Sequence, residues 1–309
     1  MRLALVLTGG LLAVIALLVT AVAIGSTPLP VRAVIDAIAG GDGPTARIVM
    51  DLRLPRALLA LLVGAGLGTV GCLLQTTTRN DLADPFLFGL SSGAAAGAVL
   101  VITVTGDLLG LWTLPLAAFA GGMAASVIVL AGLAVSFLFM ALTNYLVFAG
   151  DQRAAHSVLF WTLGGLGLAR WDLLPIAAVG LAAILAFAFV RHRNFDALLA
   201  GEDTARTLGV DVVALRRTTF LVCAFATAAF VSISGVIGFV GLMVPHIARA
   251  LAGPMHGRFV PVAALTGAGL LLISDIAART LLAPQELPIG IVTTSLGAVF
   301  VLALLTREP

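Results

Sequence analysis

Leu52-Arg53-Leu54-Pro55-Arg56 opens an apolar run, Ala57 to Thr78, which closes in Arg79-Asn80-Asp81-Leu82-Ala83-Asp84-Pro85. Between the polar ends lie about twenty uncharged residues, enough at about 1.5 Å each to cross a hydrocarbon core roughly 30 Å thick. The run has no period-two alternation, so it reads as a helix and not as a barrel strand. Two arginines at its mouth cost free energy in lipid unless something anionic meets them.

Composition extends that reading to the whole chain. Apolar residues make up 61% and charged residues 10%, with a mean hydropathy of +1.15. Soluble domains carry about 25% charged residues, so lipid solvates most of this chain. Lipid cannot satisfy a free backbone, which leaves helices as the spanning elements. The expected fold is an all-α integral membrane protein, one polytopic domain over residues 1–309. About ten transmembrane helices are expected, near residues 3–24, 57–76, 86–105, 108–130, 133–150, 173–190, 218–235, 236–252, 262–283 and 289–306. The run to Ile24 exceeds the roughly 7–15 residues of a signal core and reads as an uncleaved first span. All 17 basic residues are arginine, and a net charge of +2 gives no case for nucleic-acid binding. Cys72 and Cys223 lie in apolar runs with no metal-ligand spacing and read as packing residues.

Arginine bias sets the orientation. The polar stretch 191–217 carries Arg191, Arg193, Arg206, Arg216 and Arg217. Arg79, Arg249, Arg258 and Arg307 fall on the same side, which is therefore cytoplasmic. The 25–56 segment then faces outward with Arg32, Arg47, Arg53 and Arg56, an exception that calls for a role. The stretch 151–172 holds Arg153, His156, Arg170 and Asp172. Residues 108–150 carry no charge, so spans four and five share them with a turn near Ala131-Gly132. Residues 218–248 are short for two spans unless the eighth continues through Pro245 and Arg249. The 34 glycines suit close helix packing in lipid. An Arg-led helix followed by a Gly/Pro turn occurs after Arg56 and again after Arg217, the pattern of an inverted internal repeat.

Further stretches stand out. Gly201-Glu202-Asp203-Thr204-Ala205-Arg206-Thr207-Leu208-Gly209 has acids where a helix starts and a glycine where it stops. The plain reading is a solvated loop helix; the functional one is a short helix fitted into a partner's groove. Gly89-Leu90-Ser91-Ser92-Gly93 opens a span with small and hydroxyl residues, which serve packing or a wettable path. In Gly235 to Arg249, glycines every three residues permit close approach, and Pro245 frees the backbone. His246 there reads as a structural residue. Asp275 and Arg279 sit four apart and read as an intrahelical ion pair, with Arg279 near the outer end. Glu286-Leu287-Pro288-Ile289-Gly290 is a tight turn before the last span.

Taken in order, Arg53–Ala94, Phe160–Gly165, Gly201–Gly209, Gly235–Arg249 and Asp275–Gly290 resemble the FecCD-type permease subunits of ABC importers for iron–siderophore complexes, haem and cobalamin. The resemblance covers nearly the whole chain and implies a cobalamin-permease-like bundle with an inverted repeat. It implies partners as well: a second permease copy or close homologue, two cytoplasmic ATP-binding subunits and a periplasmic or lipid-anchored substrate-binding protein. No cofactor is implied. The segment 201–209 is similar to the family's coupling motif, with Glu202, Asp203, Ala205 and Gly209 as the coupling residues, although Thr204 replaces a second small residue. Arg53, Arg56 and Arg279 are expected to dock the binding protein. Asn80, Asp84, Ser91 and Ser92 are expected to form the translocation path or its inner gate. The chain departs from the family's charged loop between spans four and five, since Ile128-Val129-Leu130 runs directly into Ala131-Gly132-Leu133: either the hairpin there is unusually tight or a loop is missing from the sequence.

The expected function is that of a bacterial inner-membrane permease passing an iron–siderophore or related chelate, with haem or cobalamin as alternatives. The chain has no Gly-x-x-x-x-Gly-Lys-Ser/Thr of its own, so ATP would be hydrolysed by a separate subunit. A proton-coupled secondary transporter needs a titratable group in a span, and Asp275 is the one candidate. A membrane enzyme needs paired acids or a metal cluster, and the four histidines are scattered.

Overall fold

The computed structural model describes residues 2–25, 29–88, 90–106, 108–127, 132–149 and 152–306, which are helical with no strand among them. The helices are α1 (Arg2–Ala23), α2 (Val31–Ile38), α3 (Pro44–Arg47), α4 (Leu54–Thr78), α5 (Leu90–Leu100), α6 (Thr113–Val127), α7 (Gly132–Ala149), α8 (Gln152–Thr162), α9 (Leu174–Leu199), α10 (Glu202–Thr207), α11 (Val212–Ser234), α12 (Val240–Ala252), α13 (His256–Thr280) and α14 (Ile289–Leu305). Leaving out the short α2, α3, α8 and α10, the remaining helices fall on the expected spans. Among the described residues, α1, the helical stretch Pro44–Thr78, α9, α11 and α13 are each long and apolar enough to cross a membrane. α5, α6, α7, α12 and α14 are shorter apolar helices.

The second and sixth spans differ from expectation, and the eighth does not. The second span does not begin at residue 57: α3, a wider π turn over Ile48–Arg53 and α4 run on as one helix from Pro44. Pro55 lacks an amide hydrogen and its ring crowds the carbonyl four residues back, so the turn before it opens to let the helix pass. The sixth span continues past residue 190 to Leu199, so the polar stretch 191–217 is mostly helix: the end of α9, α10 and the start of α11. The eighth span does continue through Pro245 and Arg249, as α12. The direct junction at 128–131, Gly89, Arg307 and the side chains of Arg153 and His156 lie outside the described residues.

α4 is the centre of the bundle. It packs against α13, α9, α12 and α11, and from Val63 to Thr77 every residue is buried. Glycine makes this possible at two levels. Gly64 abuts the Gly267 carbonyl of α13, and Gly267 abuts the Gly64 carbonyl, so neither position has room for a β-carbon. About two turns from the inner end, Gly71 lies against the Gly241 carbonyl of α12. Pro245 leaves that carbonyl without its intrahelical donor, and the backbone of α4 covers it. Around this axis α1, α9, α11, α12 and α13 close one core, while α5 and α6 form a second with Trp161 and Val231.

Gly64→Val would push a branched side chain into the Gly267 carbonyl. The expected loss is about 3 kcal/mol of stability, read as a lower unfolding midpoint in detergent. Gly165→Ala, at a position with open space around it, should leave the midpoint near wild type.

Candidate functional site

The outer end is built where α1 stops. Its last carbonyls have no donors within the helix, and Leu29 N reaches back to one of them, Ala23 O, at 3.0 Å. Arg53 reaches across from the π turn that leads into α4 and donates through Nη1 to Val22 O (3.1 Å) and Ala23 O (2.8 Å). Arg279 reaches across from α13 and donates through Nη1 to Ile24 O (2.7 Å) and through Nη2 to Ala21 O (2.9 Å). Two guanidiniums thus satisfy four consecutive carbonyls and place positive charge at the negative end of the α1 dipole. Both arginines are buried, at 8% and 4% exposure.

Arg56, one turn on from Arg53, turns the other way. Its Nε is 2.8 Å from Asp275 Oδ1 and its Nη1 is 2.7 Å from Glu286 Oε2. Asp275 also meets Arg279 Nη2 at 2.9 Å, as the i,i+4 spacing predicted. The three expected docking residues therefore come together in one network with Asp275 and Glu286. Within it, Arg53 and Arg279 face inward, and the Arg56–Glu286 pair opens to the surface.

Three motif segments interlock in the next layer. Gly165 N donates to Ser234 O (2.8 Å), and Gly290 N donates to Leu163 O (3.1 Å). Gly164 (φ 72°) abuts Val236 O, and Gly235 (φ 65°) abuts Trp161 O, so a β-carbon is excluded by both space and conformation. This junction fixes the end of α8 and Val236. Both help wall a cavity of about 700 Å³ with α5 and α7. Ser91 and Ser92 line it, with Thr143, Asn144 and Thr162, which sequence reasoning did not single out, beside them. The available signal was the Thr143-Asn144 pair inside an otherwise apolar run. Phe137 and Met140 complete an apolar part of the wall. Among the described residues the buried Thr143 hydroxyl has no hydrogen-bond partner.

Asn80 and Asp84 do not line this cavity. Asn80 Oδ1 accepts from Leu82 N (2.9 Å) and shapes an exposed turn. Asp84 is buried, accepts from Phe86 N through Oδ1 (2.8 Å), and faces Gly241 near the start of α12. Burial pushes its carboxyl up to about 6, against the pull of the Phe86 and Leu242 amides.

At the inner end α10 has the predicted form. Gly209 (φ 82°) follows its last turn, with Gly209 N on Arg206 O (2.9 Å) and Val210 N on Ala205 O (2.9 Å), which is a Schellman closure. Asp211 then caps α11 through Ala214 N (2.9 Å). Ala205 is buried against the bundle, while the Asp203 side chain is fully exposed. Glu202 pairs with Arg216, whose hydrogen bond holds the Glu202 carboxyl below its usual range. Sequence reasoning did not anticipate Arg216 in this role, because its partners are 14 and 139 residues away.

The model of the FecCD transport family matches residues 11–307. The cobalamin import system permease protein BtuC of Halobacterium salinarum is 41% identical over 86% of this chain and 75% of its own length. The Fe(3+) dicitrate transport system permease protein FecD of Escherichia coli is 37% identical over 92% of each chain, and the hemin transport system permease protein HmuU of Yersinia pestis is 37% identical over 84% of each. Among solved structures, an inward-facing metal-chelate-type ABC transporter superposes with a TM-score of 0.84 at 29% identity, covering 97% of this chain and 98% of its own.

Replacing Arg53 with Met should remove the charged donor from the Val22 and Ala23 carbonyls and cost about 3 kcal/mol, seen as a lower unfolding midpoint in detergent. Arg53→Lys should recover only part of this, because a single ammonium lacks the guanidinium's forked reach.

Proposed function

Given that the chain belongs to the FecCD transport family, we propose that it passes an intact iron–siderophore complex or a closely related metal chelate inward. The chain is a multi-pass membrane protein and the permease of an ABC importer. Relatives named for Fe(3+) dicitrate, hemin and cobalamin bracket the cargo class. The observation that carries the proposal is the cavity wall, where Ser91, Ser92, Thr143, Asn144 and Thr162 stand beside Phe137 and Met140. Neutral donors and acceptors next to aromatic and thioether surface suit the organic periphery of a chelator. In this reading two permeases face each other across the path in a bacterial inner membrane. Two cytoplasmic ATPase subunits receive α10, with Asp203 and Gly209 at the contact, while Ala205 seats the helix on the bundle and Glu202 ties it to Arg216.

On the outer face we place the binding-protein contact at the surface opened by Arg56 and Glu286, with Arg53 and Arg279 supporting it from behind. A charged rim of this kind steers association and weakens with salt. Asn80 and Asp84 belong to the inner gate, where the turn 79–85 meets α12. A proton-coupled mechanism has less support, because Asp275 is bridged by Arg56 and Arg279 and does not line the cavity.

The test of cargo is ATP hydrolysis by the permease reconstituted with its ATPase subunits and binding protein, across iron–siderophores, haem and cobalamin. One chelate class should stimulate hydrolysis, and a flat response to all of them would overturn the proposal. Cysteines at Ser91 and Ser92 should react with aqueous thiol reagents at rates that change with nucleotide; uniform protection in every state would leave packing as their role. At the outer face, Arg56→Ala should lower the ratio of binding-protein-stimulated to basal hydrolysis. An unchanged ratio would move the contact elsewhere.

A further inference from the structure

The last turn of α4 is tied by polar side chains to α11, α12 and α13, and through them to α10 and α9. The Thr77 carbonyl accepts from Arg216 Nε at 3.2 Å, and the same guanidinium holds Glu202 of α10 through Nη2. The Thr76 hydroxyl lies 2.9 Å from His256 Nε2, and His256 Nδ1 lies 2.8 Å from Asp196 Oδ1. Asp196 Oδ1 also accepts the His256 backbone amide at 2.7 Å, so one carboxylate of α9 secures the start of α13. Gln75 donates to Leu242 O at 3.3 Å and accepts from Arg249 Nη2 at 3.2 Å. Arg249 Nη1 reaches on to Asp81 at 2.9 Å, inside the turn that follows α4.

These ties have a direction. α10 is suspended between α9 and α11, joined to each by a few residues. α9 holds α4 through Asp196, His256 and Thr76, while α11 holds it through Arg216. A push on α10 therefore reaches the same turn of α4 from two sides. About one turn further out, α4 meets the backbone of α12 at Gly71, with no room for a β-carbon between them. Long polar side chains can lengthen, rotate and re-pair, but glycine-to-carbonyl contact cannot. Motion applied at the inner end is thus confined to residues beyond Gly71, and the chain leaves that end directly into Arg79 (φ 51°) and the exposed turn.

We infer that Gln75–Thr77 is the joint between the ATPase-facing helix and the inner turn, with Arg216, His256 with Asp196, and Arg249 as positioning residues that convert displacement of α10 into displacement of Asn80–Pro85. This rests on the reading that α10 meets the ATPase. Arg216 bridges two partners from different atoms of one planar group, which a lysine cannot reproduce. Thr76 supplies a single hydroxyl at the centre of the other tie, so Thr76→Val removes that bond and keeps the shape.

The experiment uses the permease assembled with its ATPase subunits in nanodiscs, with and without trapping by ATP and vanadate. Cys72 and Cys223 are fully buried, so a cysteine placed at exposed Leu82 is the reactive one. A second reporter, Asp203→Cys, tests the underlying reading, since the ATPase subunits should shield it. With Leu82→Cys alone, maleimide labelling should change several-fold on trapping. Adding Arg216→Lys or Thr76→Val should bring that change close to one, while Asp203→Cys stays shielded. If Asp203→Cys is never shielded, the α10 contact itself is wrong. If it is shielded and residue 82 responds as in wild type in both variants, or never responds, the joint is wrong. Thr76→Val keeps the outcome decisive should Arg216→Lys assemble poorly.

Discussion

The end of a helix in lipid has a cost that water would otherwise absorb: its last carbonyls face a medium without donors. Everything at the outer end follows from how α1 meets this constraint. Four carbonyls, Ala21 to Ile24, are answered by Arg53 and Arg279, each arriving from a different helix. Charge-assisted hydrogen bonds of this kind are among the stronger ones, and they also suit the α1 dipole. The same act joins α1, α4 and α13, because an arginine serving a carbonyl on another helix fixes both helices. Of the four arginines that depart from the usual bias, Arg53 is accounted for by backbone chemistry within the chain.

α4 carries that order inward. Its outer end holds Arg53 and Arg56, its middle is packed by glycine against carbonyl, and its inner turn is held by side chains. The three zones differ in how they are held: charged caps at one end, close-packed backbone in the middle and paired side chains at the other end. The cavity stands to one side, on α5, α7 and α8, and is joined to the axis by the junction of Gly164, Gly235 and Gly290.

Much of this was legible in the sequence because it is local. Apolar run length marked the spans, and Gly209 after an acidic start marked α10 with its closure. The Asp275–Arg279 spacing marked an ion pair. Partners distant in the chain left no such trace. Nothing in the spacing of Arg53 says that its acceptors are carbonyls, since a backbone oxygen has no sequence signature. The contacts of Arg216, and of Asp196 with His256, link residues that only the folded bundle brings together. The boundary of the second span was misplaced because the apolar run begins after Arg56, whereas the wider turn before Pro55 lets the helix continue from Pro44.

The central claim is that Arg53 and Arg279 serve the α1 carbonyls and that only Arg56 of the three reaches the outer surface. An experimental structure of the assembled importer with its binding protein docked tests this most directly. Arg53 and Arg279 should remain on the carbonyls of residues 21–24, with Arg56 or Glu286 at the partner's surface. Guanidiniums of Arg53 and Arg279 swung out onto partner carboxylates, leaving the end of α1 uncapped, would contradict it.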